Sequence, residues 1–477
     1  MTLEKEKHFV RGALWLAVAK SWFVVSAYVI YSVLSRILQP GEFGVYGLVV
    51  NLVSIFNLVM VTGTVQSVSR FVSLGEPEKV KRGALKIMGL FGLALSAVYF
   101  VLAGWVAGLL RDPSLTFPFR LSSLIIIFYS LYAVFIGFLN GKKEFFKQGL
   151  FDMSYSTLRV VLIAGLAYLT ASVNGAVAGF VTAAFVIVIA AFLLLGRGES
   201  GGGFSIRQFV GFGSVLVGFY LVANGMMNLD LFLIKALSPL ERSSEAAGFY
   251  TASLTIARVP YMLLQALNLA VFPVVSESHT LQKSEETTRF IEKSLSGCFL
   301  IAFLAAVLVS GDAPGTLTLI YPARYLEGAG ALSILAWAYL FFALFTLSST
   351  VIAGLGKASV ALAVALGAIF MEALFSFGLI PSWGLSGGAV SACLAFAFGF
   401  FANLIYLFRG KFLSFSWRKV IPVVLGGIVL VIVSLAVPAR GFALLGKDLV
   451  LTLLYVGMLW FFQIVSPKAA FQFVAKR

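Results

Sequence analysis

LSRILQPGEFGVY, Leu34–Tyr46, joins one long apolar run to the next, and the chain says it twice. An altered copy, LIKALSPLERSSEAAGFY, occupies Leu233–Tyr250. Leu34, Arg36 and Leu38 match Leu233, Lys235 and Leu237; with five residues inserted in the second loop, Gly44 and Tyr46 match Gly248 and Tyr250. A second echo follows in the same order, GAVAG at Gly175–Gly179 and GAVSA at Gly388–Ala392. Small apolar residues recur by chance in any hydrophobic chain. Here both echoes fall at corresponding places in the hydropathy pattern, which predicts two homologous halves.

The chain of 477 residues is 60% hydrophobic and 12% charged, with a mean hydropathy of +1.00. That composition excludes an ordinary soluble protein. Apolar runs of helix-spanning length recur from about 10–38 to about 443–466, fourteen in all. The alternation of a membrane β-barrel is absent. The fold class expected is therefore an all-α polytopic membrane protein of fourteen spans. Two six-helix lobes would form a pseudo-twofold repeat, with two extra helices at the C-terminus. The first run is too long for a cleavable signal and carries Lys20 in its middle. Cys298 and Cys393 lie inside apolar runs and read as packing residues.

Loop charges set the expected orientation. Of the 35 Lys and Arg, 23 fall in one alternating set of loops and 8 in the other. The richer set, with both termini, is expected in the cytoplasm of a cell-membrane protein. The net charge of +15 then reflects cytoplasmic loops facing anionic lipid, and no nucleic-acid partner is expected. The Gly-rich stretch at 199–206 reads as a tether between an N-terminal lobe at 1–198 and a C-terminal lobe at 207–410. Residues 411–477 form an appendage of two spans and a tail. Six spans per lobe leave the two lobes in the same orientation, as in parallel-repeat transporters.

Four cations remain inside the spans: Lys20, Arg70, Arg159 and Arg258. Charge at membrane depth is costly and marks a pathway or a site. Arg70 is near a span end, where its stem reaches the interface. Lys20 fits either snorkelling or a cavity. Arg159 and Arg258 are too deep to snorkel, which points to a water-filled space suited to an anion such as phosphate or pyrophosphate. The deep acids are Asp230 and Glu372; Asp152, near the start of its span, reads as interfacial. Asp230 and Glu372 fit either coupling to Na⁺ or H⁺ or an ion pair inside the membrane, with Lys235 or Arg258 as candidates. Asn57, Gln66, Asn224, Asn228, Gln265 and Asn268 could meet sugar hydroxyls or bond helix to helix. Pro260 and Pro273 predict kinks beside the last two. Trp15, Trp22, Tyr28 and Tyr31 on the first span are candidates for stacking or for membrane packing.

Only two histidines are present, His8 and His279, so neither a His-based metal site nor a Ser-His-Asp triad is expected. No phosphate-binding loop of the GxxxxGK[ST] type occurs, so energy must come from a gradient or potential, with no cofactor beyond a coupling ion.

Four stretches carry a family likeness: LSRILQPGEFGVYGLV at Leu34–Val49, FLNGKKEFF at Phe138–Phe146, NLDLFLIKAL at Asn228–Leu237 and AGFYTAS at Ala247–Ser253. The chain resembles the O-antigen type polysaccharide flippases, in the superfamily that also holds multidrug extruders and lipid II flippases. The resemblance implies two six-helix lobes around a V-shaped cavity that opens alternately to each side. It implies a cargo of oligosaccharide on a polyprenyl phosphate or pyrophosphate, moved from the cytoplasmic to the outer leaflet. Lys20, Arg159 and Arg258 would then hold the phosphate and Arg70 would help load it. Membrane lipids, and the glycosyltransferases or polymerase of the same pathway, would be partners. The rival in the same superfamily is a cation-coupled exporter working through Asp230 and Glu372. The first half holds no clearly deep acid, which favours the lipid-linked cargo. Short loops, the lack of a DxD motif and the scarcity of His argue against a membrane glycosyltransferase or ligase, so no enzymatic activity is expected.

Overall fold

The computed structural model describes residues 3–199, 214–281, 284–413 and 417–462, and among them every regular element is a helix. The first half holds α1 (Leu3–Ile37), α2 (Pro40–Leu74), α3 (Pro77–Leu109), α4 (Thr116–Gly141), α5 (Phe145–Thr170) and α6 (Val173–Leu195). The second holds α7 (Ser214–Leu237), α8 (Ser243–Ala257), α9 (Val259–Thr280), α10 (Ser284–Gly311), α11 (Ala313–Ile320), α12 (Ala329–Gly354) and α13 (Ala358–Arg409). α14 (Trp417–Ala436) and α15 (Phe442–Phe461) close the chain. Most of the expected Gly-rich tether, from Ser200 on, lies outside the described residues.

Local chemistry sets the helix starts. Pro40 and Pro77 begin α2 and α3, where a missing N–H costs no helical bond. Ser172 caps α6 by accepting from the Asn174 amide at 3.2 Å. The repeated turn joins α1 to α2 and, in its second copy, α7 to α8. The inserted residues of that copy form a 3₁₀ turn, Leu240–Arg242, ahead of α8. Gly44 and Gly248, matched in the repeat, touch each other. A Cβ at Gly44 would lie 2.6 Å from the Gly248 nitrogen, and one at Gly248 would press into the Pro40 carbonyl.

α13 has 52 residues, about 78 Å if straight, far more than a bilayer of about 30 Å needs. Gly384, at φ 55° and ψ −129°, breaks it just after Pro381. Phe398 lies 3.4 Å from where a Gly367 Cβ would be, so the two arms fold back as a hairpin. Ala171, at φ 45°, makes the same break between α5 and α6. From α4 onward the halves keep one register of 213 positions. It relates Thr116 to Ala329, Phe145 to Ala358 and Ala171 to Gly384, and it pairs the left-handed residues Lys143 and Gly356.

The chain divides into two compact units, Met1–Asn228 with Pro239–Gly248, and Leu229–Ser238 with Phe249–Arg477. In the first, α4 is the central helix, packed by α2, α3 and α6 and largely buried. In the second, the corresponding α12 is central, packed by α9, α10 and α13 and largely buried. Apolar side chains such as Leu90, Val101 and Trp105 on α3 and Leu449, Leu453 and Trp460 on α15 stand exposed. Water would not tolerate such faces, and lipid does; the chain is a multi-pass membrane protein. Nine helices among the described residues are long and apolar enough to cross a membrane, or ten with the bent α9. The number is below the fourteen expected: α13 counts once, the apolar part of α14 is short, and neither α2 nor α7 is among the nine.

α14 and α15 are tied to the second unit by Asp312, which caps α11 through the Gly315 amide at 3.0 Å. Its other oxygen takes the Ala439 amide at 2.8 Å and the Lys447 ammonium. Burial opposes the carboxylate charge, but the Lys447 hydrogen bond and the two amides outweigh it and hold the carboxyl below its ordinary range. A depressed acid stabilises the fold above its unfolded pKa of about 4, and that stability is lost as pH falls through the folded value. Lys447→Met is expected to lower stability in detergent by about 3 kcal/mol, because it strands a buried carboxylate. The deficit should shrink below about pH 4, where that carboxylate takes up a proton; melting curves across pH check both.

Candidate functional site

In the first unit, α5 buries Gln148, Asp152, Tyr155, Ser156, Arg159 and Ile163, a three- and four-residue spacing that makes one face. Arg159 is 8% exposed. Its guanidinium carbon lies 4.6 Å from the Phe180 ring centre, 5.5 Å from Phe23 and 5.7 Å from Tyr155. Its Nε has no hydrogen-bond partner, and no carboxylate pairs with it among the described residues. Aromatic faces attract a cation but cannot fill the in-plane donors of a guanidinium. A buried cation held this way is left with an unmet demand for an anion.

Lys20 is different. Its ammonium lies 3.1 Å from Asp152, with side-chain exposures of 66% and 11%. Tyr132 Oη donates to the other Asp152 oxygen at 3.1 Å. Asp152, read from sequence as interfacial, is thus a buried counter-ion to one of the expected phosphate ligands. Tyr129, Tyr132 and Tyr155 pack ring to ring beside it, centres 5.3–6.1 Å apart. Arg70 is exposed near the end of α2, and Gln66 is exposed one turn earlier. Asn57 keeps a buried Oδ1 without a partner. Asn228 Nδ2 donates to the Asn224 carbonyl at 2.7 Å, a bond within one helix.

In the second unit, Asp230 is fully buried. It accepts from Tyr250 Oη at 2.9 Å and from the Leu231 amide at 2.8 Å. Arg258 stands at the break between α8 and α9, and its Nε donates to Tyr339 Oη at 2.7 Å. Glu372 is fully buried, both its oxygens lack a hydrogen-bond partner, and it interacts electrostatically with Asp230 and Arg258. Ser376 Oγ, one turn further along α13, also lacks a partner. Lys235 is buried. α9 bends by 43° between Val259–Gln265 and Ala270–Thr280, one turn before Pro273, and Pro260 sits in its first turn. Gln265 is exposed there, and Asn268 reaches Thr346 Oγ1 at 3.4 Å. The second unit thus gathers two acids, one arginine and two tyrosine hydroxyls.

Sequence reading placed Asp152 at the interface and missed the rings around Arg159, and Tyr250 and Tyr339 around the acids. One signal was present: Tyr46 and Tyr250 are the last matched residues of the repeated turn.

A profile of the polysaccharide biosynthesis protein family matches residues 33–329, well over half of the chain. The chain belongs to that family. No protein of curated function matches it. Among solved structures, the lipid II flippase MurJ in an inward closed conformation superposes with a TM-score of 0.74 at 14% identity, over 94% of this chain and 99% of that one. An inward-facing multidrug transporter of the MATE family, in the MOP superfamily, gives a TM-score of 0.62 at 14% identity, over 83% and 95%. A MOP superfamily transporter from Pyrococcus furiosus gives 0.57 at 14%, over 85% and 96%. At these identities the likeness speaks for the fold. This member of the polysaccharide biosynthesis family therefore has the fold seen in these transporters.

Proposed function

We propose that the chain is a flippase for an anionic oligosaccharide linked to a polyprenyl phosphate or pyrophosphate. It would move this cargo from the cytoplasmic to the outer leaflet of the cell membrane by alternating access, for assembly of surface polysaccharide. The observation that carries this is Arg159, a buried guanidinium with rings on its faces and no anion of its own. Family membership and the fold shared with a protein named as a lipid II flippase support it. Arg159 takes the phosphate first. Lys20 joins it as its bond to Asp152 loosens, and exposed Arg70 helps to load the headgroup. Asn57, Asn224, Asn228, Gln265 and Asn268 meet the sugars. Asp230 and Glu372 take up the coupling H⁺ or Na⁺, and pathway glycosyltransferases or the polymerase are the natural partners. The test is binding of a polyprenyl-pyrophosphate oligosaccharide to purified protein at two salt concentrations. Binding should weaken with salt and fall about a hundredfold in Arg159→Ala.

One observation favours a second reading. The unpartnered oxygens of Glu372 beside Asp230 fit a cation-coupled exporter of drugs or metabolites, and multidrug transporters share the fold. If the protein ignores the lipid but binds organic cations in an Asp230-dependent way, the exporter replaces the flippase.

A further inference from the structure

The register between the halves reaches the two charged sites. The offset of 213 that relates α5 to the first arm of α13 puts Glu372 at the position of Arg159. It is gapless from Phe145 and Ala358 through Gly165 and Gly378 to Gly175 and Gly388. In the repeated turn, Tyr250 stands at the position of Tyr46. Just before it, Asp230 stands at the position of Tyr31, in step with Leu34 and Leu233.

These matched residues also meet in space within each unit. In the first, the Tyr31 and Tyr46 rings are 6.0 Å apart, and Tyr46 lies in the field of Arg159. In the second, Tyr250 donates to Asp230 at 2.9 Å and lies in the field of Glu372. The position 159/372 is buried in both units and is under-satisfied in both, at Nε in one and at both oxygens in the other.

We propose that Tyr31, Tyr46 and Arg159 in one unit, and Asp230, Tyr250 and Glu372 in the other, are two copies of one binding position with inverted charge. The first admits a phosphate-type anion and the second excludes it. This rests on the flippase reading and assigns the anion to one repeat only. The difference lies in the group at the shared position: Arg159 offers an anion a guanidinium fork, whereas Glu372 offers only carboxyl oxygens, with Asp230 beside it. In the first copy the nearby Lys20 and Asp152 cancel, and Arg159 sets the sign.

The inference is tested by rebuilding the first triad in the second unit. Inorganic pyrophosphate is titrated calorimetrically into purified wild type, Arg159→Glu and the double variant Asp230→Tyr/Glu372→Arg. Wild type should bind one pyrophosphate per chain. Arg159→Glu should lose about a hundredfold in affinity, and the double variant should bind two per chain. A double variant that melts like wild type yet binds one pyrophosphate overturns the inference and leaves the flippase reading standing. If the double variant does not fold, Glu372→Arg alone decides: a guanidinium at that position should add a second, weaker pyrophosphate, and unchanged stoichiometry overturns the inference. Absence of binding by wild type overturns the flippase reading and the inference with it.

Discussion

Arg159→Ala is expected to abolish transfer of a lipid-linked oligosaccharide while leaving the protein folded and inserted, and even slightly more stable. The two effects have opposite signs for one reason. The guanidinium is buried against Phe23, Tyr155 and Phe180 without an anionic partner, so the empty protein bears its desolvation cost. Removing it relieves that cost, by about 1 kcal/mol once the cation–π contacts are given up. The cargo then loses a bidentate, charge-assisted ligand, and transfer should fall by about a hundredfold or more. Arg159→Lys keeps the charge but not the fork, and should retain a fraction of the activity. Transfer is measured in proteoliposomes, or by complementation of a flippase-deficient strain, and stability by melting in detergent. Full complementation by Arg159→Ala would remove this residue from the mechanism. Loss of activity together with loss of stability would make it a structural residue.

Gly248→Val should cost about 3 kcal/mol, the largest stability effect expected here from a single added side chain. The added Cβ would meet the Pro40 carbonyl and carbonyl carbon, which are backbone atoms at a helix start and cannot swing aside. Gly44→Ala should cost about 2 kcal/mol, since its Cβ meets the backbone of Ser244 and Gly248. Gly165→Ala is the internal control. Nothing lies within 4 Å of its Cβ, and a helix gains about 1 kcal/mol when Gly becomes Ala. Melting midpoints in detergent should therefore rank Gly165→Ala, wild type, Gly44→Ala and Gly248→Val in falling order. A Gly248→Val protein that melts like wild type would mean that the two turns are not in close contact.

Much of this architecture is legible in the chain because membrane helices write themselves locally. Pro40 and Pro77 announce helix starts, and Pro381 and Gly384 announce a break. The repeated turn announces the duplication. Arg159 is legible for the same reason: its depth in an apolar run follows from counting along one helix. Its surroundings are not. Lys20 and Asp152 are 132 residues apart, and their pairing depends on α1 lying against α5, which no local pattern encodes. Tyr250 and Asp230 meet across a turn whose inserted residues obscure the register, so the hydrogen bond was invisible although both partners were in view. The gapless offset of 213 was readable in principle. It becomes convincing only once the left-handed residues Ala171 and Gly384, and Lys143 and Gly356, are seen to share it.

Gly44 and Gly248 occupy the same place in two copies of one turn, and they touch each other. A residue packed against its own image is the mark of an isologous, two-fold contact. The two copies differ, and the second holds five extra residues without losing its glycine. Pro239–Gly248 is now grouped with the first unit although the second repeat encodes it. Cutting the gene at the Gly-rich stretch would thus deprive the first fragment of a segment it packs against. The two fragments should be soluble in detergent only when made together.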